Sequence, residues 1–292
     1  FGIPVSGTHA HSWVMNFPSE YEAFRAYAHL FPDACLLLVD TYDTLRSGVP
    51  NAVRVFKELR AAGHEPKGIR LDSGDLAYLS KRARQMLDEA GFEKAVICAS
   101  GDLDERVIAS LKAQGAKIDL WGVGTKLITS SDLPALGGVY KLAAVQAAGG
   151  GLIPKIKLSD NSDKITNPGF KQVYRIYDKK TGKAQADLIA LREEVFDERV
   201  PLTIFHPVET WKRTTFTDYT LRPLSVQVMK GGELTGALPA LADVCAYAAR
   251  EKETFWSEYR RQDNPHVYKV DLSEALYSVK NKMIAEIRTE NG

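Results

Sequence analysis

Cysteine is scarce and scattered in this sequence. The three residues, Cys35, Cys98 and Cys245, make neither a paired framework nor a zinc-type spacing. Disulfide scaffolds and zinc modules are thereby excluded, and a reducing, cytoplasmic compartment is the expectation. No apolar run approaches the roughly 20 residues a membrane helix needs. Neither sign of charge dominates: 38 Lys and Arg stand against 37 Asp and Glu, a formal net charge of +1, and no basic block offers a nucleic-acid footprint. Partners are expected among small molecules and further copies of the chain, not membranes or nucleic acid. The sequence shows no signal-peptide pattern and opens without methionine, in mid-pattern at Phe1-Gly2-Ile3-Pro4-Val5, so it is expected to be part of a longer protein.

At 292 residues the chain has room for one large domain or two smaller ones. A repeating unit fills its first half. An apolar run from Phe1 ends in Ser6-Gly7-Thr8-His9-Ala10-His11-Ser12 and leads into a helical pattern through Tyr21, Phe24, Tyr27, Ala28 and Phe31. Ala34 to Val39 is a continuous apolar run of the kind buried on both faces. It stops at Asp40-Thr41-Tyr42-Asp43-Thr44, and the next helix spans about Pro50 to Ala62 with Ala52, Val55, Phe56 and Leu59 on one face. Gly68 to Leu71 predicts a strand, about Asp75 to Ala90 a helix, and Lys94 to Ala99 another strand. Asp102 with Glu105 forms a capping-box pattern for a helix carrying Val107, Ile108 and Leu111, and Ile118 to Val123 leads into Gly124-Thr125. Strand-helix modules of about 25 to 35 residues imply a parallel sheet, here part of a barrel. Each polar cluster follows a strand, so in a parallel barrel the clusters share one rim.

Past Ala147-Ala148-Gly149-Gly150-Gly151 the pattern changes. Ile153 to Leu158, Val173 to Tyr177 and Leu188 to Leu191 predict strands, with Lys180-Thr181-Gly182-Lys183 a turn and further strands near Leu202 to Phe205 and Thr215 to Phe216. Helices are predicted from about Pro239 to Arg260 and from Ser273 to Ile287, the latter with Leu276, Val279, Met283 and Ile287 on one face. The expected organisation is an α/β barrel portion carrying a catalytic rim over residues 1–148, then antiparallel strands and C-terminal helices over 152–292. Lys155, Lys157, Lys164, Lys171 and Arg175 read either as phosphate contacts or as a solvated face.

The rim offers several chemistries. Arg70, Asp72 and Asp75 sit where a strand breaks into a loop, and a guanidinium there suits a carboxylate or phosphate through two parallel hydrogen bonds. Ser73 or Asp75 would alternatively cap the following helix. Gly122-Val123-Gly124-Thr125 reads as a phosphate-binding turn or simply a tight one. The His9-Ala10-His11 spacing fits a metal site in a hydrolase barrel, a nucleophilic imidazole oriented by Asp40 or Asp43, or histidines without chemistry.

One family joins these motifs. Gly7-Thr8-His9-Ala10-His11-Ser12, Leu38-Val39-Asp40-Thr41-Tyr42-Asp43-Thr44, Arg70-Leu71-Asp72-Ser73-Gly74-Asp75-Leu76, Gly122-Val123-Gly124-Thr125 and Leu136-Gly137-Gly138-Val139-Tyr140-Lys141-Leu142, in that order, resemble nicotinate phosphoribosyltransferase. Similarity continues through Lys157-Leu158-Ser159 and Asn167-Pro168-Gly169-Phe170-Lys171. The resemblance implies a type II phosphoribosyltransferase fold: part of an irregular α/β barrel, then a smaller antiparallel β-containing region with C-terminal helices. It implies a cytoplasmic homodimer that makes nicotinate mononucleotide and pyrophosphate from nicotinate and phosphoribosyl pyrophosphate in NAD salvage. Mg2+ is the implied cofactor, and ATP is hydrolysed through a phosphohistidine.

By the same resemblance His11 matches the phosphorylated histidine and His9 a variable position. Asp40 would orient the His11 imidazole, with Asp43 as second choice. Asp72 would meet the ribose hydroxyls and Asp75 assist magnesium or ribose. Arg70 would face the nicotinate carboxylate or a phosphate, with Thr8, Ser12 and Ser73 beside the substrate. Gly122, Gly124, Thr125, Gly137 and Gly138 would cradle the 5-phosphate. Family members are longer, their upstream half adding barrel strands, an aromatic residue that stacks on the pyridine ring and an arginine pair. Alternatives are the sister enzyme acting on nicotinamide and a non-catalytic, phosphate-binding barrel fragment.

Overall fold

In the computed structural model, which describes residues 7–291, four short strands lie side by side in sequence order. β1 (Leu36–Leu38), β2 (Gly68–Leu71), β3 (Val96–Ala99) and β4 (Leu120–Trp121) pair in parallel throughout. The short α1 (His11–Met15) and the longer α2 (Glu20–Leu30) precede β1, and α3 (Val49–Ala61), α4 (Leu76–Glu89) and α5 (Glu105–Ala113) link the strands. Ile69, Leu71, Ile97 and Ala99 are fully buried and share a core with Phe24, Phe56 and Leu87 from the helices. Each such large side chain contributes about 1.5–3 kcal/mol on burial. Arg70 and Cys98, paired across β2 and β3, occupy the opposite, half-buried face. The parallel, barrel-type sheet expected from the repeating unit is present. The apolar run over Phe1 to Val5 lies outside the described residues.

In the first unit the helix boundaries fall close to the predicted ones, with one shift at α5. Its cap is Asp104, whose carboxylate accepts from the Val107 N–H at 2.8 Å. Asp102 takes a positive φ of 46° in the turn ahead of it. An aspartate in that conformation cannot place its oxygen over the first helical turn, because an N-cap needs extended φ and ψ.

The glycine run at 149–151 turns a hairpin instead of separating domains. After the short α6 (Thr125–Ile128), β5 (Ala144–Gln146) pairs with β6 (Leu152–Pro154), and the Ala147 N–H donates to the Gly151 carbonyl at 2.7 Å. These bonds keep both sides of the turn together, and the chain divides earlier, into units Phe1–Gly138 and Val139–Gly292.

The second unit holds β7 (Lys171–Asp178), β8 (Ala184–Leu191), β9 (Leu202–Phe205), β10 (Arg213–Phe216), β11 (Tyr219–Pro223), a small β12 (Met229–Lys230) and β13 (Glu233–Leu234) hairpin, and β14 (Val270–Leu272). Six of them form a sheet in the order β10-β9-β14-β8-β7-β11. Its pairings are antiparallel except β14 with β8, which is parallel. That strand returns after α7 (Leu241–Thr254) and α8 (Ser257–Arg260), and no local pattern indicated its place. The single helix expected over this stretch is broken at Phe255 and Trp256, whose extended backbone ends one helix and starts the next. α9 (Glu274–Asn291) closes the chain, with Leu276 fully buried.

Arg175 is neither a phosphate contact nor part of a solvated face. It forms a two-pronged pair with Asp187 at 2.9 and 3.0 Å, under the Phe255 ring. Lys171 is likewise turned inward, its ammonium held by the Gly169 carbonyl at 2.5 Å and the Asn167 carbonyl at 2.8 Å. Among the described residues no helix is long and apolar enough to cross a membrane.

Candidate active site

The segment before α1 is pinned to β1 and splits its histidines between two environments. Thr8 Oγ1 donates to the Leu36 carbonyl at 2.6 Å, and His9 Nε2 accepts from the Leu38 N–H at 3.1 Å. The Thr8 hydroxyl proton is thus committed to backbone instead of substrate. The His9 ring is 6% exposed and packs against Phe24 and Tyr27. Burial pushes its pKa down from 6.5 to about 4, with smaller downward contributions from the Arg70 and His11 charges against a backbone hydrogen bond to Ala10. A buried ring with Nε2 committed to backbone is not a metal ligand. Among the described residues no group of three or more His, Cys, Asp or Glu side chains converges as a metal site. The His9-x-His11 metal-hydrolase alternative is therefore set aside: α1 starts at His11 and turns the second ring away from the first.

The buried neutral His9 has a consequence for acid stability. In the unfolded chain it takes up a proton near pH 6.5, and in the folded chain only near pH 4. Its contribution is complete above pH 6.5 and is lost as pH falls through that window, about 3 kcal/mol in all. Urea unfolding of the full-length protein between pH 7 and 4 is expected to show a shallower pH slope in His9→Gln than in the wild type. Identical slopes would show that His9 is not the group responsible.

His11 faces the rim, its side chain 39% exposed. Nδ1 lies 3.1 Å from Thr41 Oγ1, just beyond β1, and Nε2 lies 3.7 Å from Asp72 Oδ2, just beyond β2. Asp72 is the hub of the cluster. Its Oδ1 accepts from Arg70 Nη2 at 2.5 Å and from the Ser100 hydroxyl at 2.5 Å, while Arg70 Nε donates to Ser100 Oγ at 2.6 Å. Burial raises the Asp72 pKa, but hydrogen bonds from Ser100 and Arg70, together with the Arg70 and His11 charges, bring it below the ordinary value. The carboxylate is ionised at neutral pH.

Several expected residues have other partners. Asp40 does not touch His11: its Oδ2 accepts from the Asp72 and Ser73 N–H groups, both at 2.8 Å, and from the Ser73 hydroxyl at 3.0 Å. It clamps the loop after β2, and Thr41 holds the imidazole instead. Asp43 accepts from the Leu45 and Arg46 N–H groups and starts the turn before α3. Asp75 caps α4 through the Tyr78 N–H at 2.9 Å, as its capping alternative had it. Ser12 is exposed beside His11.

At the glycine turn, the Gly122 N–H is engaged by the Ala99 carbonyl at 2.7 Å, and Gly124 and Thr125 open the short α6. Gly137 and Gly138 lie in an exposed segment, with open space where a Cβ would stand, and no hydrogen bond ties them to the His11 cluster among the described residues. Thr41 and Ser100 are the residues sequence reasoning left without a role. Both stood in polar clusters after strands, but a lone hydroxyl side chain in a loop carries no spacing signal.

Residues 170–280 match the nicotinate phosphoribosyltransferase C-terminal domain. The chain is 49% identical over 291 residues to nicotinate phosphoribosyltransferase of Bacillus subtilis, covering 99% of this chain and 58% of that protein. It is 34% identical over 275 residues to the human protein of that name, covering 92% of this chain and 50% of the human one. The crystal structure of human nicotinic acid phosphoribosyltransferase superposes with a TM-score of 0.78 at 28% identity, over 97% of this chain and 62% of that one. The chain thus spans little more than half the length of these relatives. With the ordered rim motifs, the C-terminal domain match and the shared fold together, the chain matches a C-terminal-like portion of the longer nicotinate phosphoribosyltransferases.

Proposed function

We propose that this chain supplies the catalytic rim of an ATP-coupled nicotinate phosphoribosyltransferase, forming nicotinate mononucleotide and pyrophosphate in NAD salvage. The observation that carries this is the His11 imidazole, held at Nδ1 by Thr41 and facing Asp72 with Nε2. In the tautomer that donates Nδ1–H to Thr41, Nε2 has a lone pair. Its attack on the γ-phosphorus of ATP forms an N–P bond as the bond to the ADP oxygen breaks, and hydrolysis later returns the histidine and phosphate.

In transfer, the bond from ribose to pyrophosphate breaks while the bond to the nicotinate nitrogen forms, building positive charge on the sugar. The ionised Asp72 is a fixed acceptor for that charge, prearranged by Arg70 and Ser100. Arg70 Nη1 has no protein partner among the described residues and suits an anionic ligand group. Gly124 and Thr125, at the start of α6, would meet a phosphate of the substrate. Magnesium, the proposed cofactor, would neutralise polyphosphate charge. Because no cluster of acidic or histidine side chains stands ready for a cation among the described residues, it is assigned no ligand in this chain and carries no step here. The expected setting is a cytoplasmic homodimer.

The test is pyrophosphate release from phosphoribosyl pyrophosphate by the full-length protein, with nicotinate or nicotinamide, each with and without ATP. Release driven by nicotinate and raised by ATP is expected. Preference for nicotinamide would move the protein to the sister activity, and no release with either base would leave a non-catalytic, phosphate-binding barrel.

A further inference from the structure

Ser100 lies one residue beyond β3, is 7% exposed, and sits between the two charged side chains of the β2 edge. Its hydroxyl accepts from Arg70 Nε and donates to Asp72 Oδ1, and Arg70 Nη2 donates to that same Oδ1. Three bonds close a ring. Only a group that both accepts and donates through one small atom completes it, and a hydroxyl does so. The ring engages Nε and Oδ1 and leaves Arg70 Nη1 and Asp72 Oδ2 outside it, with Oδ2 3.7 Å from His11 Nε2.

The backbone is arranged for this. The Ser100 N–H donates to the Leu71 carbonyl at 2.9 Å. Gly122, in the turn after β4, makes room for the side chain: a Cβ there would stand 3.2 Å from Ser100 Cβ. On the other side, Asp40 fixes the main chain of Asp72 and Ser73. The Asp72 backbone is therefore held by Asp40, while its carboxylate is held by Arg70 and Ser100. Arg70 is itself a long, rotatable side chain, so without Ser100 the pair retains a single bond about which both groups can turn.

We propose that Ser100 is a positioning residue for phosphoribosyl transfer, locking Arg70 and Asp72 into one rigid unit so that Oδ2 faces His11 and the sugar while the outer guanidinium N–H groups face an anionic ligand. The inference rests on the transferase function proposed above. Ser100 touches no reacting atom and acts through its two partners. Displacing them by about 1 Å is enough to cost on the order of 100-fold in rate.

The experiment compares Ser100→Ala, Ser100→Cys and Ser100→Thr in the full-length protein, by kcat and KM in the pyrophosphate-release assay and by thermal melting. Cysteine keeps the size but hydrogen-bonds weakly, and threonine keeps the hydroxyl. The expected result is a loss of about 10- to 100-fold in kcat/KM for alanine and cysteine, falling mainly on kcat, with recovery to within about threefold of wild type for threonine. Should alanine fail to fold, the cysteine and threonine pair still isolates the hydroxyl. Unchanged kcat/KM in the cysteine variant, or threonine as impaired as cysteine, would overturn the proposal, because side-chain volume and not the hydroxyl would then matter. A wild-type protein that releases no pyrophosphate would instead overturn the proposed transferase.

Discussion

Full-length protein carrying His11→Ala is expected to show the same rate of pyrophosphate release with and without ATP, and to take up no acid-labile phosphate from γ-labelled ATP. Alanine offers no lone pair, so the N–P bond cannot form. The loss of the ATP-stimulated rate is expected to be at least about tenfold, or ~1.4 kcal/mol of barrier. Thr41→Ala is the graded companion. It keeps the imidazole but releases Nδ1, which Thr41 Oγ1 holds at 3.1 Å, so Nε2 is no longer fixed in tautomer or direction. ATP stimulation is expected to weaken in it without vanishing. Acid-labile phosphate incorporated by His11→Ala as by wild type would place the nucleophile elsewhere, and with it the meaning of the contact between Nε2 and Asp72.

Gly101→Ala is expected to cost about 3 kcal/mol or more of stability in chemical unfolding of the full-length protein, and transfer activity with it. Gly101 has a φ of +90°, where an alanine is strained, and an added Cβ would stand 2.1 Å from the Asp72 carbonyl oxygen. Backbone strain alone accounts for roughly 1–2 kcal/mol. The remainder follows because the atom in the way is main chain: relief requires moving Asp72, whose N–H is held by Asp40 and whose carboxylate is held by Arg70 and Ser100. Gly115→Ala separates the two causes. That glycine also has a positive φ, +75°, but nothing lies within 4 Å of its added Cβ, so only the strain should appear. Equal losses in the two variants would mean that the approach of β3's loop to Asp72 is not as close as described.

Much of the barrel half was legible locally. The run from Ala34 to Val39 and the spacing of Ala52, Val55, Phe56 and Leu59 gave a buried strand and an amphipathic helix, and Cys35, Leu37 and Val39 line the core with those four helix residues. The polar clusters were placed after strands, and there the structure gathers His11, Arg70, Asp72 and Ser100. The second unit was less legible. β7 and β8 are joined by the expected tight turn, but β14 reaches its place between β8 and β9 through pairing with strands far from it in sequence.

Individual partners were legible least of all. Asp40 and Asp43 stand in the same motif as Thr41, and the family resemblance implies Asp40, with Asp43 as second choice, as the group that orients His11. The structure gives the task to Thr41, since the Asp40 carboxylate is drawn to the backbone N–H groups of the next strand end. What the sequence by itself determined is the order of strands and helices and the end of the sheet at which polar residues collect, because periodicity and strand ends are properties of neighbouring residues. Tertiary structure alone decided that His9 is core and His11 is rim, that Asp40 clamps a loop, and that Ser100 completes a ring. The bonds that decide these join residues 28 to 33 positions apart, one strand-helix unit along the chain, and they exist only once parallel register has set the strand ends side by side.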